Sequence, residues 1–423
     1  MLIIHNSLGM GGVETFILRL ARERHFSGLN TKILLIANPS LNNHELISEV
    51  EKYADVFYIK DIVFGICPTI FNLSCIYRYD KLVTMLENIS KVHVTYGNAL
   101  IVAEKILNVT KAKLAVSVGF YHSMEFCWGK DTHLPYYESV NRDVLFNTIP
   151  RSNLFLFSSS IIDFYREYVS IDLSGAATFR IGTVSINDEA KKIFRYDDFV
   201  QNKMVRMCSV GRLVDFKKYN IWMLDVVRNL CDKGFNIQYD IYGDGPLYNL
   251  IVEKIAELSL GNNVSITKHL KYSDFDEVVG SYDIFVGSGT SIIQSAALGV
   301  CSVVGIESIE VPLSYGYLCD VAKFDYNLNS LNLPMFEVET LITNFIHMSR
   351  HEKQQLVKKH IECCYDFSMK KCSEHFEEVR LQEAKLVKRG FLGYVLYDVS
   401  RLFSAVLRRV YANHPLNSVY DRK

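Results

Sequence analysis

Residues 207–229 read MCSVGRLVDFKKYNIWMLDVVRN, and residues 242–246 read YGDGP. The apolar run at 205–210 predicts a β-strand, with Gly211 and Arg212 directly at its end. Lys217 and Lys218 follow at the mouth of an amphipathic helix, and a second predicted strand, 236–242, ends in the turn Gly243-Asp244-Gly245-Pro246. This order of elements puts the cations at the C-terminal edge of a parallel sheet. Ligands bind at that edge in open α/β sheets, and helix N-termini there add partial positive charge. The stretch therefore predicts an anion site.

A chain of 423 residues exceeds one ordinary core, so two domains are expected. Hydrophobic residues make up 49% and charged residues 22%, as in folded globular proteins, and a net charge of −1 gives no bulk attraction to nucleic acid. The ten cysteines are scattered without a CxxC pair. Several, such as Cys208 and Cys301, fall inside predicted strands, the usage of buried free thiols in a reducing compartment. The opening MLIIHNSLGMGG reads as a first strand, not a signal peptide, and no run of 18 apolar residues occurs. A cytoplasmic protein is the expectation.

The first half alternates predicted strands (2–5, 32–37, 56–59, 92–95, 113–119, 153–157) with predicted helices (13–25, 45–53, 99–107, 161–169). Residues 123–150 are aromatic and irregular and give no clear element. Residues 186–203, INDEAKKIFRYDDFVQNK, are charged and lack a core pattern, as a linker does. A second alternating series follows, with strands at 205–210, 236–242, 263–267, 283–286 and 301–305. From about 336 to 411 the pattern is helical and strand-free. Two successive βα series imply two doubly wound α/β domains, 1–190 and 204–365.

The motifs at 211–218 and 243–246 resemble the donor-binding half of the GT-B type glycosyltransferases, in particular retaining family four. That family has Gly-Arg-Leu, a lysine five or six residues after the arginine, and Gly-x-Gly-Pro about thirty residues on. The resemblance implies two Rossmann-like domains facing across a cleft, with a C-terminal helix, here 366–385, crossing back to the first. It implies transfer of a sugar from a nucleotide-sugar donor to a glycan or lipid-linked acceptor, retention of configuration, and no metal or other cofactor. Arg212 and Lys217 would neutralise the departing diphosphate, with Lys218 as the alternative lysine. Gly243, Gly245 and Pro246 would lie near the base.

The loop Gly9-Met10-Gly11-Gly12-Val13-Glu14 is similar to the family's Gly-Gly-x-Glu loop, so Gly11 and Gly12 would lie beside the donor phosphates. His122, after the strand at 113–119, matches by position the family's active-site histidine, and Glu125 would orient it or the sugar. The family also carries two glutamates eight residues apart. The second, which binds ribose, corresponds to Gln294, whose amide still offers a donor and an acceptor, so glutamate should be tolerated there. The first has no counterpart, since position 286 is valine. Gly289, Thr290 and Ser291 fill the gap with N–H and hydroxyl groups able to hold phosphate or sugar oxygens. This departure supports a second reading, a transferase-like binding or partner subunit without turnover. A nucleotide-sugar epimerase is a third.

Asp274-Phe275-Asp276 matches a DxD metal motif but is fully explained as the acidic start of a helix. The tail, 386–423, is basic, and Leu392, Val395, Leu396, Val399, Leu402, Phe403, Val406 and Val410 form one helical stripe flanked by Arg401, Arg408 and Arg409. Such a helix fits either an inner-leaflet membrane surface or the protein body. Surface polysaccharide synthesis in a bacterium, of the capsule or lipopolysaccharide kind, is what the resemblance implies for the pathway.

Overall fold

Short strands with no exposed side belong to sheets covered on both faces, and the inner strands of the first sheet are of this kind. Leu2–His5 and Lys32–Leu35 are buried at every position. In a computed structural model describing residues 1–9, 11–130, 133–185, 204–268, 270–271, 274–321 and 325–411, the chain divides into two compact units. Among the described residues, one unit is Met1–Gly182 together with 372–411, and the other falls within Thr183–Lys371. The candidate linker, 186–203, lies outside the described residues, as do Met10, Ser273 and 412–423.

The first unit runs β1 (Leu2–His5), α1 (Gly12–Phe26), β2 (Lys32–Leu35), α2 (His44–Val50), β3 (Asp55–Tyr58), α3 (Tyr79–Leu86), β4 (Lys91–Val94), α4 (Gly97–Thr110), β5 (Ala115–Phe120), α5 (Tyr136–Asp143), β6 (Leu154–Leu156), α6 (Ser160–Val169) and β7 (Ala177–Thr178). All seven strands are parallel, in the order β3-β2-β1-β4-β5-β6-β7. The order reverses between β1 and β4, which makes the crevice at their C-terminal ends the place where such sheets bind ligands. Helix α4 is buried on all sides over its first eleven residues, with Asn98, Glu104 and Lys105 buried among its apolar side chains.

The second unit runs β8 (Val205–Val210), α7 (Tyr219–Asp232), β9 (Ile237–Tyr242), α8 (Tyr248–Glu257), β10 (Val264–Thr267), α9 (Phe275–Gly280), β11 (Ile284–Gly287), α10 (Thr290–Ala297) and β12 (Cys301–Val304). Then come β13 (Leu313–Ser314), α11 (Leu318–Val321), β14 (Phe336–Glu337), α12 (Val338–His347) and α13 (Arg350–Cys364). Its main sheet is parallel, in the order β10-β9-β8-β11-β12, with the reversal between β8 and β11. β14 pairs antiparallel with β13, so the chain after 336 is not free of strand.

Helix α14 (Met369–Glu378) carries the chain back into the first unit. Phe376 packs there on Phe16, His93, Phe155 and Phe179, and Glu377 pairs with Lys91 at 2.9 Å and with Arg24. The returning helix is shorter than the expected 366–385. After Glu378 the chain is extended: Asn153 brackets Gln382 with two hydrogen bonds of 2.8 and 2.9 Å, and Arg389 Nε donates to Glu104 at 2.8 Å. Helix α15 (Phe391–Val410) then lies against α5.

Candidate functional site

The backbone turns after β8 and β9 cross at van der Waals distance, and glycine makes this possible. A Cβ at Gly243 would come within 2.0 Å of the Gly211 carbonyl oxygen. Leu213 N donates to Asp244 O at 3.0 Å and Leu247 N to Leu213 O at 3.1 Å, locking the loops together. Gly245 and Pro246 complete the second turn.

Lys217 stands at the end of the first loop, its Nζ 3.1 Å from where a Gly211 Cβ would lie. Burial, then the neighbouring Arg212, hold its pKa below the usual lysine value, with Glu307 opposing. Arg212 is exposed, and its side chain makes no hydrogen bond or ion pair with any described residue. Lys218 is engaged elsewhere, 2.7 Å from Asp215 and 3.6 Å from Glu310. The geometry thus distinguishes the two lysines: Lys217 shares the switch point with Arg212, and Lys218 is neutralised on the surface.

Across the reversal, Gly289 caps α10 at φ +66°, in the left-handed region that glycine tolerates best. The first-turn N–H groups of α10, beginning at Thr290, have no acceptor within the helix. Ser291 is spent on structure, its hydroxyl donating to Val210 O at 3.0 Å and to Ser288 O at 3.2 Å. Gln294 points to α9: its Nε2 donates to Asp276 Oδ1 at 2.9 Å. The second acid of the DxD sequence is therefore this amide's partner, and no cluster of three or more metal-ligating side chains occurs among the described residues. The expected tolerance of glutamate at 294 does not follow, because a carboxylate there would face another.

One acidic residue escaped the sequence reading. Glu307 follows β12 and accepts a 2.9 Å hydrogen bond from Ser288, whose hydroxyl is 3.4 Å from Tyr219 OH. It is the carboxylate facing Lys217. Its signal was its place, three residues past a parallel strand adjoining β11. Val286, in contrast, is fully buried in β11.

In the first unit the glycine loop follows β1, with Gly11 at the N-cap of α1 and Gly12 as its first residue. The Glu14 carboxyl folds back over this N-terminus, 2.2 Å from where a Gly11 Cβ would lie. His5 Nε2, 3.9 Å away, holds that carboxyl below its usual range. His5 Nδ1 is 2.6 Å from Thr95 Oγ1, so the ends of β1 and β4 are joined at the reversal.

After β5 the chain separates neighbours. Tyr121 turns inward, its hydroxyl 2.9 Å from His93 Nε2, while His122 is exposed with Nδ1 accepting from Met124 N at 3.0 Å. Glu125 does not orient this ring, since no hydrogen bond joins the two side chains. Burial first, and then the Glu138 carboxylate, push the Glu125 carboxyl up to about 8.

No family model matches the chain, and no curated protein matches it. Solved structures do. HepE of Anabaena, solved with UDP and glucose, superposes with a TM-score of 0.53 at 13% identity, covering 89% of this chain and 98% of that one. The lipopolysaccharide outer core galactosyltransferase WaaB gives 0.55 at 12% identity, over 89% and 98%. The pneumococcal O-GlcNAc transferase GtfA, solved with UDP and GlcNAc, gives 0.53 at 11%, over 89% and 97%. With its two parallel sheets of reversing strand order, the chain has the two-domain Rossmann-like fold of the GT-B glycosyltransferases.

Proposed function

We propose that this protein is a retaining, metal-independent glycosyltransferase. It moves a sugar from a nucleotide-sugar to a glycan or lipid-linked acceptor in bacterial surface polysaccharide synthesis. The observation that carries the reading is the pair Arg212 and Lys217 at the β8/β11 reversal, two cations that no carboxylate approaches within ion-pair distance among the described residues. UDP is the nucleotide favoured, because HepE and GtfA were both solved with it.

In this reading Arg212 and Lys217 take up the charge that develops on the diphosphate as the glycosidic bond breaks. Contacts made to a leaving group in a preorganised site lower the barrier by a few kcal/mol each. The N-terminus of α10 adds N–H donors, and Gln294 offers its carbonyl oxygen to ribose while Asp276 holds its amide nitrogen. Glu307 supplies a carboxylate near Lys217 in place of the one missing at Val286, and Ser288 fixes its position. With no carboxylate assigned as nucleophile, a short-lived oxocarbenium-like ion pair fits the site. The buried Val286 favours the second reading, a nucleotide-binding subunit without turnover.

The test pairs two ligands. Arg212→Ala with Lys217→Ala removes two charge-assisted contacts, about 3 kcal/mol together, and should weaken UDP binding by roughly 150-fold. Uridine affinity should hold. Equal loss of both ligands would overturn the site. Release of UDP from UDP-sugar only when an acceptor extract is present would separate the transferase from both the silent subunit and an epimerase.

A further inference from the structure

The C-terminal edge of the second sheet carries charges of both signs, held apart. Glu307 follows β12 and Lys217 ends the loop after β8, and a backbone hydrogen bond joins the two segments, Ser308 N donating to Phe216 O at 2.7 Å. The turn that places Glu307 is tight, since Ser308 takes φ +60°, a left-handed conformation uncommon for any residue but glycine. The charge of Glu307 reaches Lys217, yet no ion pair joins them. Opposite charges gain by closing to contact distance, so the scaffold sets this separation.

A buried relay holds the carboxylate in place. Ser288 gives its hydroxyl proton to Glu307 Oε1 at 2.9 Å, so the Tyr219 phenol is the donor in its own 3.4 Å contact with Ser288. Both Ser288 and Tyr219 are almost wholly buried. Tyr219 is wedged beside the end of β12, where a Cβ at Gly305 would lie 2.6 Å from its ring. The Glu307 backbone is tied as well, its N–H donating to Asn327 O at 2.8 Å. One carboxylate oxygen is thereby satisfied. The other, Oε2, makes no hydrogen bond with any described residue, and Glu307 is only partly buried. A fixed, partly desolvated carboxylate with a free oxygen accepts from hydroxyl donors and repels anions.

We infer, on the reading of Arg212 and Lys217 as the diphosphate site, that Glu307 selects the donor sugar by its charge. Its free oxygen accepts from a hydroxyl of a neutral sugar, and its charge turns away a sugar that carries a carboxylate of its own. A nucleotide-sugar of the neutral kind is anionic at one end only. The sheet edge has the matching pattern, two cations and then a carboxylate within ion-pair distance of neither. Specificity is a difference of affinities, and one residue here supplies both the attraction and the repulsion.

Titration calorimetry with UDP, UDP-glucose and UDP-glucuronate tests this, the two sugars differing only at C6. Wild type should bind UDP-glucuronate at least about tenfold more weakly than UDP-glucose, the scale of a like-charge approach in a partly buried site. Glu307→Gln keeps an acceptor for Ser288 and should narrow that gap to about threefold or less. UDP should bind this variant at least as tightly as wild type, since a negative charge has left the neighbourhood of the diphosphate. Glu310→Gln is the control: Glu310 is exposed, lies 3.6 Å from Lys218, and should leave the gap as it is in wild type. Equal binding of the two donors by wild type, a comparison that needs no variant, would overturn the role of Glu307 and leave the transferase reading standing. So would a gap that survives in Glu307→Gln, or one that Glu310→Gln narrows as much. Failure of wild type to bind UDP at all would remove the diphosphate site, and the role of Glu307 with it.

Discussion

Lys217 lies between a cation, Arg212, and a carboxylate, Glu307; burial, the largest influence, and Arg212 together outweigh Glu307 and hold its pKa below the usual lysine value. A bound diphosphate reverses the sign of that environment, so the complex holds the proton more tightly than the free protein does. UDP affinity is then at its full value below the depressed pKa of the free protein. It falls as pH rises through that value and levels off above the raised pKa of the complex. Titration calorimetry from neutrality to about pH 10 should show this decline, with proton uptake on binding, and Lys217→Arg should flatten it because guanidinium does not titrate there. An alkaline decline that persists in Lys217→Arg would assign the titration to another group. Arg212 and Lys217 were legible because strand, loop and helix stand together in thirty residues. Glu307 was not, because it reaches the site from a strand about ninety residues later.

Elements differ in how much of themselves they show in sequence. Inner parallel strands such as β1, β6 and β11 are legible as continuous apolar runs, a consequence of burial on both faces, while the edge strands β3 and β10 keep exposed positions. The two residues of β7 are too few to show, and α5 is hidden because its buried face includes the ion-paired Glu138 and Arg142 at 2.8 Å, not an apolar stripe. In α15 the stripe was legible, but its direction was not: Asp398 and the tyrosines take the inner side through specific hydrogen bonds that periodicity does not encode. The α9–α10 contact gives an elemental test. Gln294→Glu would set a carboxylate against Asp276 and should destabilise the second unit by roughly 0.5–1 kcal/mol, the scale of a lost surface hydrogen bond and a like-charge pair. Adding Asp276→Asn should restore the loss. Thermal denaturation measures both, and a neutral Gln294→Glu would show that the Gln294–Asp276 bond carries no stability.

At the scale of the whole molecule, each unit buries its own core. One cluster joins β1, β4, β5 and β6 with α4 and the tyrosines of α15, and two further clusters lie wholly within the second unit. The chain's two tryptophans fall one in each, Trp128 in the first unit and Trp222 on α7 of the second, both buried. They are natural reporters. If the nucleotide's phosphates are held at the β8/β11 reversal, ligand stabilises the second unit: about 2.7 kcal/mol at 100 times the dissociation constant. For a unit of this size that is a rise of roughly 5–10 °C in its melting temperature. Fluorescence melting of Trp128→Phe, which leaves Trp222, should show the rise with UDP. The complementary Trp222→Phe protein, reporting from Trp128, should show a much smaller one. The variants need a check that each melts within a few degrees of wild type before ligand is added, since a buried aromatic is being trimmed. A shift confined to the Trp128 reporter would place the nucleotide in the first unit, and the roles given to Arg212 and Lys217 would fall with it. Equal shifts in both would overturn a site whose binding energy lies within the second unit alone.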